Sequence, residues 1–181
     1  HYEYIIGYDD GTVKPFGNIT REEVATIFYR MLKSDIRENM FANTNSFSDV
    51  SDDRWSNNAI STLTRGNILE GYEDGRFRPG AYITRAEFVT IATRFYKTVN
   101  FKGAGFDDII GHWAESNIEN AVYYKLINGY SDGTFRPNAD ITRAEVMVIV
   151  NNILNREVDE QGILAETPDW SDNAKGEWYY Y

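Results

Sequence analysis

An arginine set between a threonine and a glutamate recurs three times in this chain: Ile19-Thr20-Arg21-Glu22-Glu23, Ile83-Thr84-Arg85-Ala86-Glu87 and Ile141-Thr142-Arg143-Ala144-Glu145. Threonine followed three residues later by glutamate is a helix capping box. The hydroxyl accepts from the glutamate N–H, and the carboxylate accepts from the threonine N–H. That accounts for Thr20 and Glu23, Thr84 and Glu87, and Thr142 and Glu145 as structural residues, each cap being worth about 1 kcal/mol. It does not account for the arginine, because a cation in the first turn faces the positive end of the helix dipole. Two explanations stay open for Arg21, Arg85 and Arg143. One is an anion held by the helix N-terminal N–H groups and by a guanidinium fork suited to carboxylate or phosphate. The other is a salt bridge to Asp49, Asp108 or Asp172 of a neighbouring copy.

A second block precedes each of these at fixed distance, running from Gly7 to Pro15, from Gly71 to Pro79 and from Gly129 to Pro137. Its Asp-Gly pairs, Asp10-Gly11, Asp74-Gly75 and Asp132-Gly133, are turn dipeptides in which glycine supplies positive φ. A calcium loop would need alternating oxygen ligands and a distal bidentate glutamate, which Tyr72 to Phe77 does not offer. Trp55, Trp113 and Trp178 each open a helical pattern. Core packing is the favoured role of these indoles, while exposure at a groove rim would let them stack on sugar rings.

For catalysis the chain has no cysteine, no usable histidine pair, no Gly-x-Ser-x-Gly and no phosphate loop, so nucleophilic and metal-hydrolytic chemistry lack their parts. Thiolate and histidine-rich metal sites are excluded as well, since the only histidines are His1 and His112; no metal and no cofactor is expected. Carboxylates are plentiful but threefold repeated, which suits binding with avidity better than a single catalytic centre. A net charge of -10 argues against a general nucleic-acid binder. No apolar run approaches the roughly 20 residues of a membrane span. Starting at His1 with no signal segment, the chain is expected to be a mature or excised piece of something longer.

The elements that must position these residues follow from hydrophobic spacing. Val24, Ile27, Phe28 and Met31 form a buried stripe on a helix from Thr20 that fades near Ser34, and 34–46 reads as linker. Sister helices start at Thr84 (Phe88, Ile91, Ala92, Phe95) and Thr142 (Val146, Ile149, Val150, Ile153). A different half-unit opens at Phe47-Ser48-Asp49-Val50 and leads through Trp55 to a helix carrying Ala59, Ile60 and Leu63, ended by Gly66. It returns as Phe106-Asp107-Asp108-Ile109, Trp113 and a helix carrying Ile118, Ala121, Val122 and Leu126. Residues 98–105 and the acidic 156–168 read as solvated linkers.

Trp170-Ser171-Asp172 with Trp178 begins that half-unit again without finishing it, and the N-terminal block is a finish without a start. The chain is therefore expected to be one module, 1–181, of three repeats: 47–98, 106–156, and a split one whose second half is 1–34 and first half 169–181. Joining the termini leaves the split helix about one and a half turns short, so a continuation beyond Tyr181 is expected.

With both blocks in view, the chain resembles S-layer homology repeats, whose hallmark is a Phe-x-Asp-Val…Trp-Ala half followed by Gly-Tyr-x-Asp-Gly-x-Phe-x-Pro…Ile-Thr-Arg-Ala-Glu. Phe106 to Ala114 and Gly129 to Glu145 carry the match, as do Phe47 to Trp55 and Gly71 to Glu87. The resemblance implies a mainly α, pseudo-threefold assembly of three helix–loop–helix repeats, with short turns or hairpins at the glycine blocks. It implies a non-enzymatic anchor, extracellular at the cell wall and fused to a larger surface protein, that docks on secondary cell-wall polysaccharide carrying pyruvate ketals. Ligand contacts would then fall on Arg21, Arg85 and Arg143, on Trp55, Trp113 and Trp178, on Gly7, Gly71 and Gly129, and on Asp49, Asp108 and Asp172. A protein–protein or S-layer assembly module is the alternative, and a wall-glycan enzyme is the least favoured. The first copy departs from the pattern, with Glu22 adding a negative charge beside Arg21 and Val13-Lys14 replacing Phe-Arg, so its site is expected to be weaker.

Overall fold

The computed structural model describes residues 5–154, which are mainly helical. In order these are α1 (Arg21–Met31), α2 (Ser34–Met40), α3 (Asn57–Arg65), α4 (Arg85–Thr93), a single 3₁₀ turn (Asp107–Ile109), α5 (Glu115–Tyr123) and α6 (Arg143–Ile153). Among the described residues there are only two isolated antiparallel bridges, Thr20 with Tyr82 and Thr84 with Asp140. No helix of this part is long and apolar enough to cross a membrane. The pairing of 169–181 with the first block, and with it Trp170, Asp172 and Trp178, lies outside the described residues, as does the 156–168 linker.

The chain divides into two compact units, His1–Ile83 and Thr84–Tyr181. The cut falls inside the second sequence repeat, between its glycine block and its Thr-Arg helix. Each unit therefore joins the Thr-Arg helix of one copy to the aromatic half and glycine block of the next. In the first unit α1 packs on α3; in the second α4 packs on α5. The packing faces are those of the apolar stripes: Val24, Phe28 and Met31 are buried with Ile60 and Leu63, and Phe88, Val89 and Ala92 with Ile118 and Ala121.

One element differs from the sequence expectation. Residues 34–40, expected as linker, form α2, which buries none of its residues fully and lies on α3. Its main anchor is Met40, whose methyl group occupies the space where a Cβ on Gly66 would stand. A short helix with no fully buried residue carries no apolar stripe for periodicity to detect.

The glycine blocks share one tight-turn geometry. Tyr8, Tyr72 and Tyr130 donate their N–H to the carbonyls of Thr12, Arg76 and Thr134, each at 2.8 Å, and receive the N–H of Gly11, Gly75 and Gly133. Phe77 and Phe135 are wholly buried, tilted against Phe47 and Phe106 at centroid distances of 5.4 and 5.7 Å. Gly71 and Gly129 are required by that packing, since a Cβ at either would run into the Phe47 or Phe106 ring.

Candidate functional site

The three Thr-Arg helices start in the same way. Thr20, Thr84 and Thr142 are N-caps in extended conformation, and both arms of the capping box are present in each. Thr84 N–H donates to Glu87 Oε2 at 2.9 Å, and Glu87 N–H donates to Thr84 Oγ1 at 3.2 Å. At α1 and α4 the next first-turn donors are taken by backbone carbonyls. Arg21 and Glu22 give their N–H to the carbonyls of Ala81 and Pro79, and Arg85 and Ala86 give theirs to Ala139 and Pro137. At α1 and α4 the donors an anion would use are thus taken by the glycine block of the next copy.

The guanidinium groups follow the backbone. Arg21, 6% exposed, donates Nε–H to Phe77 O at 2.8 Å and Nη2–H to Glu70 O at 3.1 Å. Arg85, 2% exposed, donates to Phe135 O at 2.9 Å, to Asn128 O at 3.2 Å and to Glu145 Oε1 at 2.7 Å. Each lies between two rings, Arg21 over Tyr72 and Phe77, and Arg85 over Tyr130 and Phe135. Arg143 is buried as well. Arg21 is held by carbonyl oxygens, and Arg85 by carbonyl oxygens together with the Glu145 carboxylate, in place of the aspartates weighed from the sequence. These arginines are joints between consecutive copies. Arg85 also pairs with the half-buried capping glutamate of the next copy, which accepts from Tyr130 Oη at 2.7 Å. Burial pushes the Glu145 carboxyl up, but the hydrogen bonds from Thr142 and Tyr130 and the charge of Arg85 outweigh it and leave its pKa below the ordinary value.

The aspartates are also occupied. Asp49 accepts the N–H of Phe77 and of Arg78, both at 2.8 Å, and Asp108 accepts those of Phe135 at 2.9 Å and Arg136 at 2.7 Å. Arg78 and Arg136 sit at φ 57° and 58°, a left-handed conformation that non-glycine residues rarely adopt. The aspartate clasp holds that backbone in place. The Arg78 and Arg136 side chains stack on Tyr72 and Tyr130 and pair with Asp74 and Asp132 at the surface.

The indoles are the residues left open. Trp55 and Trp113 are each 63% exposed, two residues ahead of α3 and α5, so the core packing favoured from the sequence does not occur. Their flanking residues are fixed in different ways. In the first unit Glu22, 7% exposed, holds Arg54 bidentately through Nε and Nη2, both at 2.8 Å, and accepts Ser56 Oγ–H at 2.7 Å. The extra negative charge that Glu22 brings beside Arg21 is thus paired with Arg54. In the second unit Ala86 stands at the place of Glu22, and His112 Nε2 meets Asn138 Oδ1 at 3.1 Å while Nδ1 accepts Ala114 N–H at 3.2 Å. Among the described residues no group of three or more histidine, aspartate or glutamate side chains is arranged to hold a metal.

Two units with the same arginine joint, the same aspartate clasp and the same exposed indole correspond to a repeated family, and the S-layer homology domain model matches residues 2–25, 46–89 and 105–147, more than half of the chain. The chain belongs to the S-layer homology domain family. Similar proteins include the cellulosome-anchoring protein of Acetivibrio thermocellus, 42% identical over 164 residues, covering 86% of this chain and 36% of the relative. Cell surface glycoprotein 1 of the same organism is 38% identical over 169 residues, covering 86% of this chain and 7% of the relative. An S-layer protein of Bacillus licheniformis is 30% identical over 145 residues, covering 78% of this chain and 16% of the relative. The chain thus spans a minor part of each relative. The recurring Trp and capping motifs of the S-layer homology repeats were legible in the sequence, whereas Arg54, Ser56, His112 and Asn138 were not. Only the mismatch between Glu22 and Ala86 pointed to them.

Proposed function

We propose that this chain anchors a larger protein non-covalently at the outer cell surface by binding a secondary cell-wall polysaccharide. The observation that carries it is the exposure of Trp55 and Trp113 at equivalent places in the two units. A large apolar face held open on a hydrogen-bonded scaffold suits stacking on a sugar ring, with the indole N–H left to donate to a hydroxyl. Membership of the S-layer homology family and similarity to a cellulosome-anchoring protein and an S-layer protein support the anchoring role.

The polysaccharide proposed is one bearing carboxylates, as pyruvate ketals provide. Arg21, Arg85 and Arg143 enter as buried structural residues: for Arg21 and Arg85, their carbonyl partners fix the glycine block against the helix. No reaction is assigned to this chain. The test is co-sedimentation with purified cell walls, with and without the non-peptidoglycan polymer, and then with that polymer after removal of its pyruvate. Binding should require the polymer and should fall when the pyruvate is removed. Binding that survives extraction of the polymer would favour a protein partner. Substituting both indoles, Trp55→Ala with Trp113→Ala, should abolish retention while the chain stays folded by circular dichroism.

A further inference from the structure

Both residues that flank Trp55 end on one carboxylate. Arg54 and Ser56 are the neighbours of the exposed indole, and each bonds to Glu22 in the first turn of α1, thirty-odd residues earlier. Ser56 is wholly buried and is also the N-cap residue of α3, while the Arg54 side chain is 32% exposed. The backbone carrying Trp55 is therefore tied on both sides to α1.

The second unit solves the same problem without charge. Ala86 and Ala114 are both buried at the places of Glu22 and Ser56. His112 takes the place of Arg54, binding Asn138 of the glycine block and accepting the N–H of Ala114 on the other side of Trp113. The counterpart of Asn138 in the first unit is Gly80, which has no side chain to offer. Four positions thus change together between the units: Glu22, Arg54, Ser56 and Gly80 in one, and Ala86, His112, Ala114 and Asn138 in the other. The exposure of the two indoles is nonetheless the same, 63%. Two unrelated sets of side chains thus anchor the backbone on which an equally open indole stands.

We infer that Glu22, Arg54 and Ser56 form an ionic clamp, and His112 with Asn138 a neutral one, that position Trp55 and Trp113 for stacking on a saccharide. This rests on the glycan reading above and deepens it by naming the residues that set the platform. Glu22 is a positioning residue that acts through Arg54 and Ser56, and the residue that makes the first copy look aberrant is the one that keeps its indole in place.

The experiment uses the full chain carrying Trp113→Ala, so that the first unit's indole carries the measured contact, with short fragments of purified wall polysaccharide as the probe in calorimetry. Trp55→Ala on this background reads the glycan proposal itself. Glu22→Ala and Ser56→Ala should each weaken binding on the order of tenfold, because a small misplacement of a positioned group has effects of that size. Ser56 is buried and cannot touch the probe, so an effect there is an effect on position. Installing the neutral set (Glu22→Ala, Arg54→His, Ser56→Ala, Gly80→Asn) should recover most of the loss, and a Cβ at Gly80 meets nothing within 4 Å. In a chain with Trp55 as sole tryptophan (Trp113→Phe, Trp170→Phe, Trp178→Phe), Glu22→Ala should raise the acrylamide quenching of Trp55. Wild-type affinity in folded Glu22→Ala and Ser56→Ala, alongside a clear loss in Trp55→Ala, would overturn the clamp and leave the glycan reading standing. If Trp55→Ala changes nothing, the glycan reading fails at this indole, and quenching alone then decides the clamp. Should Glu22→Ala melt below the assay temperature, Ser56→Ala decides the binding arm.

Discussion

At the scale of single residues, the arginines separate what a sequence can encode from what it cannot. Their oddity was legible, since a cation beside a helix N-terminus needs a reason. Their partners were not, because the acceptors are carbonyls of Phe77, Glu70, Phe135 and Asn128, and any residue type supplies a carbonyl. An arginine this deeply engaged is not dispensable. Arg85→Ala should lower stability by about 1–3 kcal/mol, as expected when hydrogen-bonded acceptors lose a charged donor, and urea denaturation reads this directly. Glu145, the other partner, makes stability pH-dependent. Its folded pKa is lowered, so the stabilisation is fully present above the ordinary carboxylate pKa and is lost as pH falls through the lowered folded value. Melting temperature measured from neutral to acidic pH should show this loss, and Glu145→Gln should flatten the curve.

At the scale of elements, the amphipathic helices and their caps were readable because their signals are local. A capping box spans four residues and an apolar stripe recurs every turn, and α1, α3, α4, α5 and α6 lie close to where the spacing puts them. The short α2 was missed because it lacks a stripe. The aspartate clasp was missed for a different reason: Asp49 and Asp108 reach backbone N–H groups 27 to 29 residues away, and their type suggested a role as charges. The clasp predicts that Asp108→Ala, which strands the N–H groups of Phe135 and Arg136, destabilises the chain by about 1–3 kcal/mol. Asp108→Asn should recover part of this, since its amide oxygen can still accept one bond. Denaturation midpoints of the two variants provide the comparison.

At the scale of the whole molecule, the sequence period and the compact units are out of step. The repeats, read as text, run from an aromatic half to a Thr-Arg helix, while the packed units run from a Thr-Arg helix to the next glycine block. The reason is visible in the joints: α1 and α4 each bury their arginine in the following copy, so these buried interactions cross the textual boundary. A surface protein held by such repeats gains from having more than one of them. On the glycan reading proposed above, an exposed indole in each unit gives the chain two contacts for a polymer that carries many copies of the same sugar. The second contact is then intramolecular, and avidity can exceed single-site affinity by about 10²–10⁴ where the geometry allows both. On this basis Trp55→Ala and Trp113→Ala should each reduce retention on intact wall polymer far more than they reduce binding of a short fragment able to occupy one site. The double variant should lose the polymer altogether. Comparing co-sedimentation on polymer with calorimetry on fragments measures both quantities on the same proteins. Equal losses on the two ligands would mean that a single indole carries the attachment.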